Sequence, residues 1–222
     1  MNNTVSPPEA STQYRLPRLG EPAPQFEAVT TQGAIRLEDY TGRWVILFSH
    51  PADFTPVCTT EFIAFAHAQP AFKEMNCELI GLSIDSYFSH IAWIMSIEKN
   101  FNTKITFPVI ADINRDVAIK YGMIMPDDAV TAASRCVFVI DDKQIVRAMI
   151  YYPFTTGRNI DELLRLVKAL QTADDRAVGT GANWKPGDNL ILFPPLTQDE
   201  VEERMRSGSP DCKDWFFAEC KP

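Results

Sequence analysis

Cys58 stands where a thiol can be made reactive. The segment His50-Pro51-Ala52-Asp53-Phe54-Thr55-Pro56-Val57-Cys58-Thr59-Thr60-Glu61 leaves a strongly apolar run, Trp44 to Ser49, and enters a stretch with helical spacing of apolar residues. A cysteine in the first turn of a helix meets the positive end of the helix dipole and backbone N–H groups with no intrahelical partner. Both favour thiolate over thiol. The bland reading is a small buried apolar residue, and position alone divides the two readings about evenly. The neighbours weigh on the reactive side. Pro51 and Pro56 fix φ and remove two donors, stiffening the loop, and Thr55 offers a hydroxyl three residues before the thiol.

The other chemistry-bearing side chains sort by their surroundings. Cys77 and Cys136 lie in apolar strand-like runs and read as inert core residues. Cys212 and Cys220 flank the aromatic run Trp215-Phe216-Phe217 in a polar tail, where a thiol can reach a partner. The chain has 5 cysteines, too few and too scattered for a disulfide-stapled secreted scaffold, and an odd count leaves at least one thiol unpaired within a chain. His50 ends the apolar run, where a histidine can simply be hydrogen-bonded. His67 and His90 fall in helical segments without metal-ligand spacing, so no metal or other cofactor is expected.

The elements that must position Cys58 follow from periodicity. Trp44 to Ser49 is continuously apolar and reads as a central strand buried on both faces. Further strands are expected at Leu79 to Ile84, Phe107 to Ala111, Cys136 to Ile140 and Ile145 to Tyr151, the last two joined by a turn at Asp141-Asp142-Lys143. Helical rhythm marks Thr59 to Met75, with a bend at Pro70, then Ser86 to Asn100 and Asn159 to Ala173, where Asn159 and Glu162 resemble a capping box. Helices alternating with strands, then a hairpin and a helix, indicate an α/β fold with a mixed sheet and helices on both faces. Beyond about Thr172 the chain is broken by glycine and proline and leans acidic. That tail is expected to bury little of itself, with one short helix near Thr197 to Arg206, and to pack its terminal aromatics on another subunit.

Charge narrows the function. A net charge of -8 leaves no basic footprint for nucleic acid or an anionic membrane surface. No run approaches the roughly 20 apolar residues that span a bilayer, and Met1 to Pro17 is polar with no apolar core of a signal peptide. A soluble cytoplasmic protein is expected.

Pro51-Ala52-Asp53-Phe54-Thr55-Pro56-Val57-Cys58 matches the Pro-x-x-x-Thr-x-x-Cys signature of the peroxiredoxins, and its flanks resemble their one-cysteine branch. Arg135, Thr156-Gly157-Arg158-Asn159 and Asn183-Trp184-Lys185-Pro186-Gly187-Asp188 extend the similarity over roughly residues 17 to 217. The resemblance implies a thioredoxin-like domain over 17–172, a mobile extension over 1–16, and a dimerisation and resolving tail over 173–222. It implies that Cys58 attacks a hydroperoxide and becomes a sulfenic acid, inactivated by further oxidation. Thr55 would hydrogen-bond the peroxide, Arg135 would lower the thiol pKa and stabilise developing charge, the Val57 and Cys58 N–H groups would supply donors, and Pro51 would shield the sulfur. Glu61 and Arg158 match supporting positions, and His50 a position near thiol and peroxide. Archaeal-type members of the branch resolve the sulfenic acid with a pair of tail cysteines. The pair here is more widely spaced, and Cys212 is favoured over Cys220. A thioredoxin-like or small-thiol reductant, a homodimer, and a ring of five dimers belong to the same implication.

Other readings stand beside it. A dithiol reductase requires Cys-x-x-Cys at the helix start, where this chain has Cys58-Thr59-Thr60-Glu61. The phospholipase activity of some relatives needs a serine and a histidine at positions held here by Arg43 and Leu37. The non-enzymatic alternative is a redox sensor or chaperone-like assembly controlled by Cys58 oxidation, which would react once where a peroxidase turns over.

Overall fold

The computed structural model describes residues 15–125, 131–209 and 211–222. The chain divides into two compact units, one ending at Arg158 and the other running Asn159–Pro222.

The first unit is built on β3 (Trp44–Ser49), a strand buried along its whole length. It pairs in parallel with β4 (Cys77–Ser83), which pairs in parallel with β5 (Val109–Ala111). On its other side β3 meets β6 (Arg135–Ile140) antiparallel, and β6 turns back into β7 (Val146–Tyr152). Two strands absent from the periodicity reading, β1 (Glu27–Thr30) and β2 (Gly33–Arg36), form a hairpin on the β5 edge. The sheet is seven-stranded, in the order β2-β1-β5-β4-β3-β6-β7. The β1–β2 hairpin alternates half-buried and exposed residues, so it lacked the apolar run that exposed the central strands. β5 begins two residues later than expected because Pro108 has no N–H for the ladder. The turn between β6 and β7 is stapled by Asp141, whose Oδ1 accepts from the N–H groups of Lys143 and Ile145 at 3.0 and 2.8 Å.

Side chains of β3 alternate between the two faces. Val45 and Leu47 join Ile80, Leu82, Ile110, Phe138 and Ile140 in a core that includes Val117 and Ala118 of a short helix, α3 (Asp116–Lys120). On the opposite face Phe48 stacks on Phe65 at 4.0 Å and meets Phe62 and Phe107 edge-on, while Phe62 lies 4.5 Å from the Trp93 ring. Phe62 and Phe65 belong to α1 (Pro56–Glu74) and Trp93 to α2 (Tyr87–Phe101), so helices cover both faces. α1 starts three residues before its expected first residue, because Pro56 is tolerated at the first helical position, and it continues through Pro70. Of the N-terminal extension expected over 1–16, residues 1–14 lie outside the described residues. Arg15 pairs with Glu21 at 2.9 Å.

The second unit is more ordered than the broken pattern suggests, although the tail buries little: of the described residues in 173–222, only Val178, Trp184, Leu190 and Ala218 are buried. After α4 (Ile160–Arg176), strands β8 (Gly179–Thr180), β9 (Leu190–Leu192), β10 (Cys212–Asp214) and β11 (Phe217–Cys220) form an antiparallel sheet in the order β10-β11-β9-β8, with α5 (Gln198–Arg206) between β9 and β10. Ala169, Val178, Trp184 and Leu190 make a small core of their own, with Leu192 and Cys220 packed against it. The glycines and prolines punctuate short strands, and Trp184 is the largest side chain they cover. Asn159 caps α4 by accepting from the Glu162 N–H at 3.2 Å, but the expected box is only half made: the Glu162 carboxylate is held by Arg165 at 2.6 and 2.8 Å. Among the described residues no helix is long and apolar enough to cross a membrane.

The aromatic layer under β3 sets a stability test. Replacing fully buried Phe48 by Ala removes one ring from a cluster of four, and we expect a loss of about 3–5 kcal/mol, read from the midpoint of chemical denaturation.

Candidate active site

Three chain segments converge on Cys58. It lies in the first turn of α1, just beyond the C-terminal end of β3, and is fully buried. Thr55 occupies the N-cap position without capping: its hydroxyl donates to the Ala52 carbonyl at 2.9 Å. Pro56 has no N–H, so the N–H groups of Val57 and Cys58 remain free of a side-chain cap. With its hydrogen committed to Ala52, the Thr55 oxygen faces any ligand as an acceptor.

Arg135, the first residue of β6, brings a guanidinium to the sulfur. Its Nη1 donates to Cys58 Sγ at 3.2 Å and to Glu61 Oε2 at 2.7 Å, and its Nε donates to the Phe154 carbonyl at 3.0 Å. Glu61 is one helical turn beyond Cys58 and also accepts from Arg158, through Nε at 2.9 Å, Nη2 at 2.7 Å and the backbone N–H at 3.0 Å. Arg158 Nη1 continues to the carbonyls of Ser49 and Cys136, tying the ends of β3 and β6 together. The three charged side chains are at most 2 % exposed. Two guanidiniums against one carboxylate leave an excess positive charge out of water, next to the sulfur. An anion there relieves that imbalance.

A second buried network holds the loop before Cys58. Asp53 Oδ1 accepts from His50 Nε2 at 2.9 Å, and both Asp53 oxygens contact His90 Nδ1, at 3.0 and 2.8 Å. His90 Nε2 lies 3.1 Å from the Ile110 carbonyl. Burial alone would raise the Asp53 carboxyl, but the hydrogen bonds from His50 and His90 outweigh it and hold the group far below the usual carboxylate range. Burial pushes His50 down more than Asp53 pulls it up, with His90 and Arg158 adding to the depression, which favours the neutral ring. The next residue, Phe54, sits at φ 56°, a left-handed conformation costly for a bulky side chain, between buried Asp53 and half-buried Thr55.

Among the described residues, His50, Asp53 and His90 are the group whose ligand-type atoms lie close enough to hold a metal, all within 4.8 Å of one another. Each contact is already a nitrogen-to-oxygen hydrogen bond of about 3 Å, and His90 Nε2 is turned to a carbonyl, so every ring nitrogen of the group except His50 Nδ1 already has an oxygen partner. Cys77 and Cys136 are buried in strands, and burial pushes the Cys77 thiol strongly up, which suits core residues. Cys212 and Cys220 lie on β10 and β11, half-buried, and none of the five cysteines is in a disulfide.

Residues 19–149 match the AhpC/TSA family, and residues 169–208 match the C-terminal domain of 1-Cys peroxiredoxin. A peroxiredoxin of Aquifex aeolicus is 55% identical, aligned over 93% of this chain and 97% of the relative. The chain belongs to the peroxiredoxins. It is a thiol-dependent peroxidase. A peroxiredoxin of Methanosarcina mazei is 53% identical over 91% of this chain and 96% of its own. The solved structure of a yeast mitochondrial 1-Cys peroxiredoxin superimposes with a TM-score of 0.81 at 40% identity, covering 92% of this chain and 99% of that one. Peroxiredoxin 6 of Arenicola marina gives 0.80 at 34% identity, covering 92% and 98%. The thioredoxin-like fold expected from the sequence is the fold of these peroxiredoxins.

Within this peroxiredoxin the structure joins Cys58, Arg135, Glu61 and Arg158 in one hydrogen-bonded cluster, places Thr55 at the N-cap of the helix that carries Cys58, and buries Pro51 in the preceding loop. His50 turns its Nε2 to Asp53. The sequence reading missed Asp53 and His90 as a network. The two are 37 residues apart, and only the packing of α2 joins them.

Two outcomes test these networks. Glu61→Gln leaves two buried guanidiniums without their carboxylate, and we expect a loss of about 3–5 kcal/mol in chemical denaturation. Asp53 has a depressed folded-state pKa, so its stabilisation is complete above the ordinary carboxylate value and lost as pH falls below about 4. The thermal midpoint of wild type is therefore expected to drop over that acid range, with a shallower drop in Asp53→Asn.

Proposed function

We propose that Cys58 is the peroxide-attacking sulfur. The observation that carries this reading is the 3.2 Å contact from the buried Arg135 guanidinium to Cys58 Sγ at an uncapped helix start. The sulfur attacks one peroxide oxygen in line with the O–O bond. The S–O bond forms as O–O breaks, leaving a sulfenic acid on Cys58 and, once protonated, water or an alcohol. Thr55 accepts a hydrogen bond from the peroxide, the Val57 and Cys58 N–H groups donate to it, and Arg135 steadies the charge moving from sulfur to the leaving oxygen. Pro51 walls the sulfur off from water. Glu61 and Arg158 hold Arg135 in place, and the bare Nδ1 of His50 is available to the peroxide O–H. Hydrogen peroxide and small organic hydroperoxides fit so enclosed a thiol.

Cys212 is the better resolving candidate of the tail pair. It lines a cavity of about 430 Å³ with Arg204, Glu203 and Glu219, whereas Cys220 packs against the small core around Trp184. The yeast mitochondrial relative is described as resolved through glutathione and thioredoxin systems, which supports a thioredoxin-like protein or a small thiol as reductant here. Exposed Phe193, Leu196, Trp215 and Phe216 suit a homodimer with the second unit at the interface, and a ring of five dimers follows the family resemblance. Five cysteines with no disulfide among them suit the reducing cytoplasm.

Peroxide turnover is expected to vanish in Cys58→Ser. Thr55→Val and Arg135→Ala should each lower the second-order rate constant about 100-fold or more, and an effect within about threefold would remove them from the pocket. After one equivalent of hydrogen peroxide, mass mapping under non-reducing conditions should join Cys58 to Cys212. A stable unbridged sulfenic acid would instead assign resolution to an external thiol.

A further inference from the structure

The His50–Asp53–His90 network contains more order than a loop anchor needs. Both nitrogens of His90 face oxygens that can only accept: Nε2 the Ile110 carbonyl at 3.1 Å, and Nδ1 the Asp53 carboxylate at 2.8 and 3.0 Å. Each nitrogen is therefore placed to donate, an arrangement that only the doubly protonated ring satisfies in full. Asp53 receives that ring and, from the other side, the Nε2–H of His50. Its backbone N–H is in turn donated to Asp85 Oδ2 at 3.1 Å, which fixes the carboxylate between the two rings. His50 has given its one hydrogen to Asp53, so its Nδ1 is a lone pair. Among the described residues that nitrogen is fully buried with no hydrogen-bond partner.

We propose that His90, which touches no reacting atom, is a positioning residue for the peroxidase reaction: its imidazolium neutralises Asp53 and so keeps His50 in the neutral tautomer with a bare Nδ1. The inference rests on the reading that this Nδ1 serves the peroxide at Cys58. The charges around His50 explain why a cation is needed at position 90. Asp53 alone beside His50 would draw a second proton onto His50, filling the lone pair. With His90 already paired to Asp53, and Arg158 acting on His50 from the other side, a proton on His50 meets positive charge and burial together. Asp85 adds its carboxylate behind the Asp53 backbone, and the His50 ring packs against Phe62 and Trp93. A neutral side chain at position 90 could fill the space without setting the protonation state.

Full-length protein labelled with 15N-histidine tests this directly. Long-range proton–nitrogen spectra at about pH 7, assigned with His67→Gln and His90→Phe, should show both nitrogens of His90 protonated and His50 with a protonated Nε2 and a bare Nδ1. A neutral His90, a cationic His50 or an Nδ1-protonated His50 in the wild type would overturn the proposal, and this arm needs neither a folded variant nor activity. In His90→Phe, His50 is expected to become cationic toward the lower end of the range from about pH 5 to 8. The second-order rate constant for hydrogen peroxide should then acquire an acid limb of tenfold or more that is absent in wild type. Adding Asp53→Asn to His90→Phe removes the uncompensated carboxylate and should abolish that extra limb, a rescue that a purely structural role would not produce. An unchanged pH profile in His90→Phe would refute the positioning role. Retained turnover in Cys58→Ser would instead defeat the underlying assignment of the nucleophile, leaving the spectra to report on the network alone.

Discussion

The arrangement turns on an unbalanced charge kept out of water. Arg135 and Arg158 share the single carboxylate of Glu61, all three buried, and Arg135 carries its remaining reach to Cys58 Sγ. Isolated ions are costly to bury, so such a cluster persists only where its hydrogen bonds are complete and its net charge is met. Four donated bonds complete the Glu61 carboxylate, and two backbone carbonyls complete Arg158. The remaining positive charge faces Cys58 Sγ. The cluster that stabilises the first unit is thus the one that suits Cys58 to nucleophilic chemistry.

Much of the first unit can be understood as the frame for that cluster. β3 and β6 are adjacent and antiparallel, which sets the C-terminal end of one beside the N-terminal end of the other. Cys58 follows from the first and Arg135 opens the second. The aromatic layer of Phe48, Phe62, Phe65 and Phe107 holds α1 against the sheet, and Arg158 lies over the rings of Phe48 and Phe65 at 5.1 and 5.5 Å, so core packing and charge placement share residues. Phe54 absorbs a left-handed φ because Asp53 on one side and Thr55 on the other are both tied down.

The second unit shows how a segment poor in long apolar runs still folds. Strands of two to four residues, each too short to register as a run, pair through their backbones and cover one tryptophan. Leu190-Ile191-Leu192 was the trace of this sheet in the sequence, set between turn residues on both sides.

The sequence by itself determined the chemistry and its central scaffold. Cys58, Thr55 and Pro51 lie within one short segment whose spacing is read directly, and β3, β4, β6 and β7 bury enough apolar surface to leave an unmistakable pattern. Glu61 and Arg158 matched supporting positions, but their partnership with Arg135 spans up to 97 residues and has no local signature. The His50–Asp53–His90 network was decided by tertiary structure alone. Three polar side chains in apolar surroundings look like isolated exceptions in a sequence, because a buried hydrogen bond is made by the approach of elements and not by the order of residues along the chain.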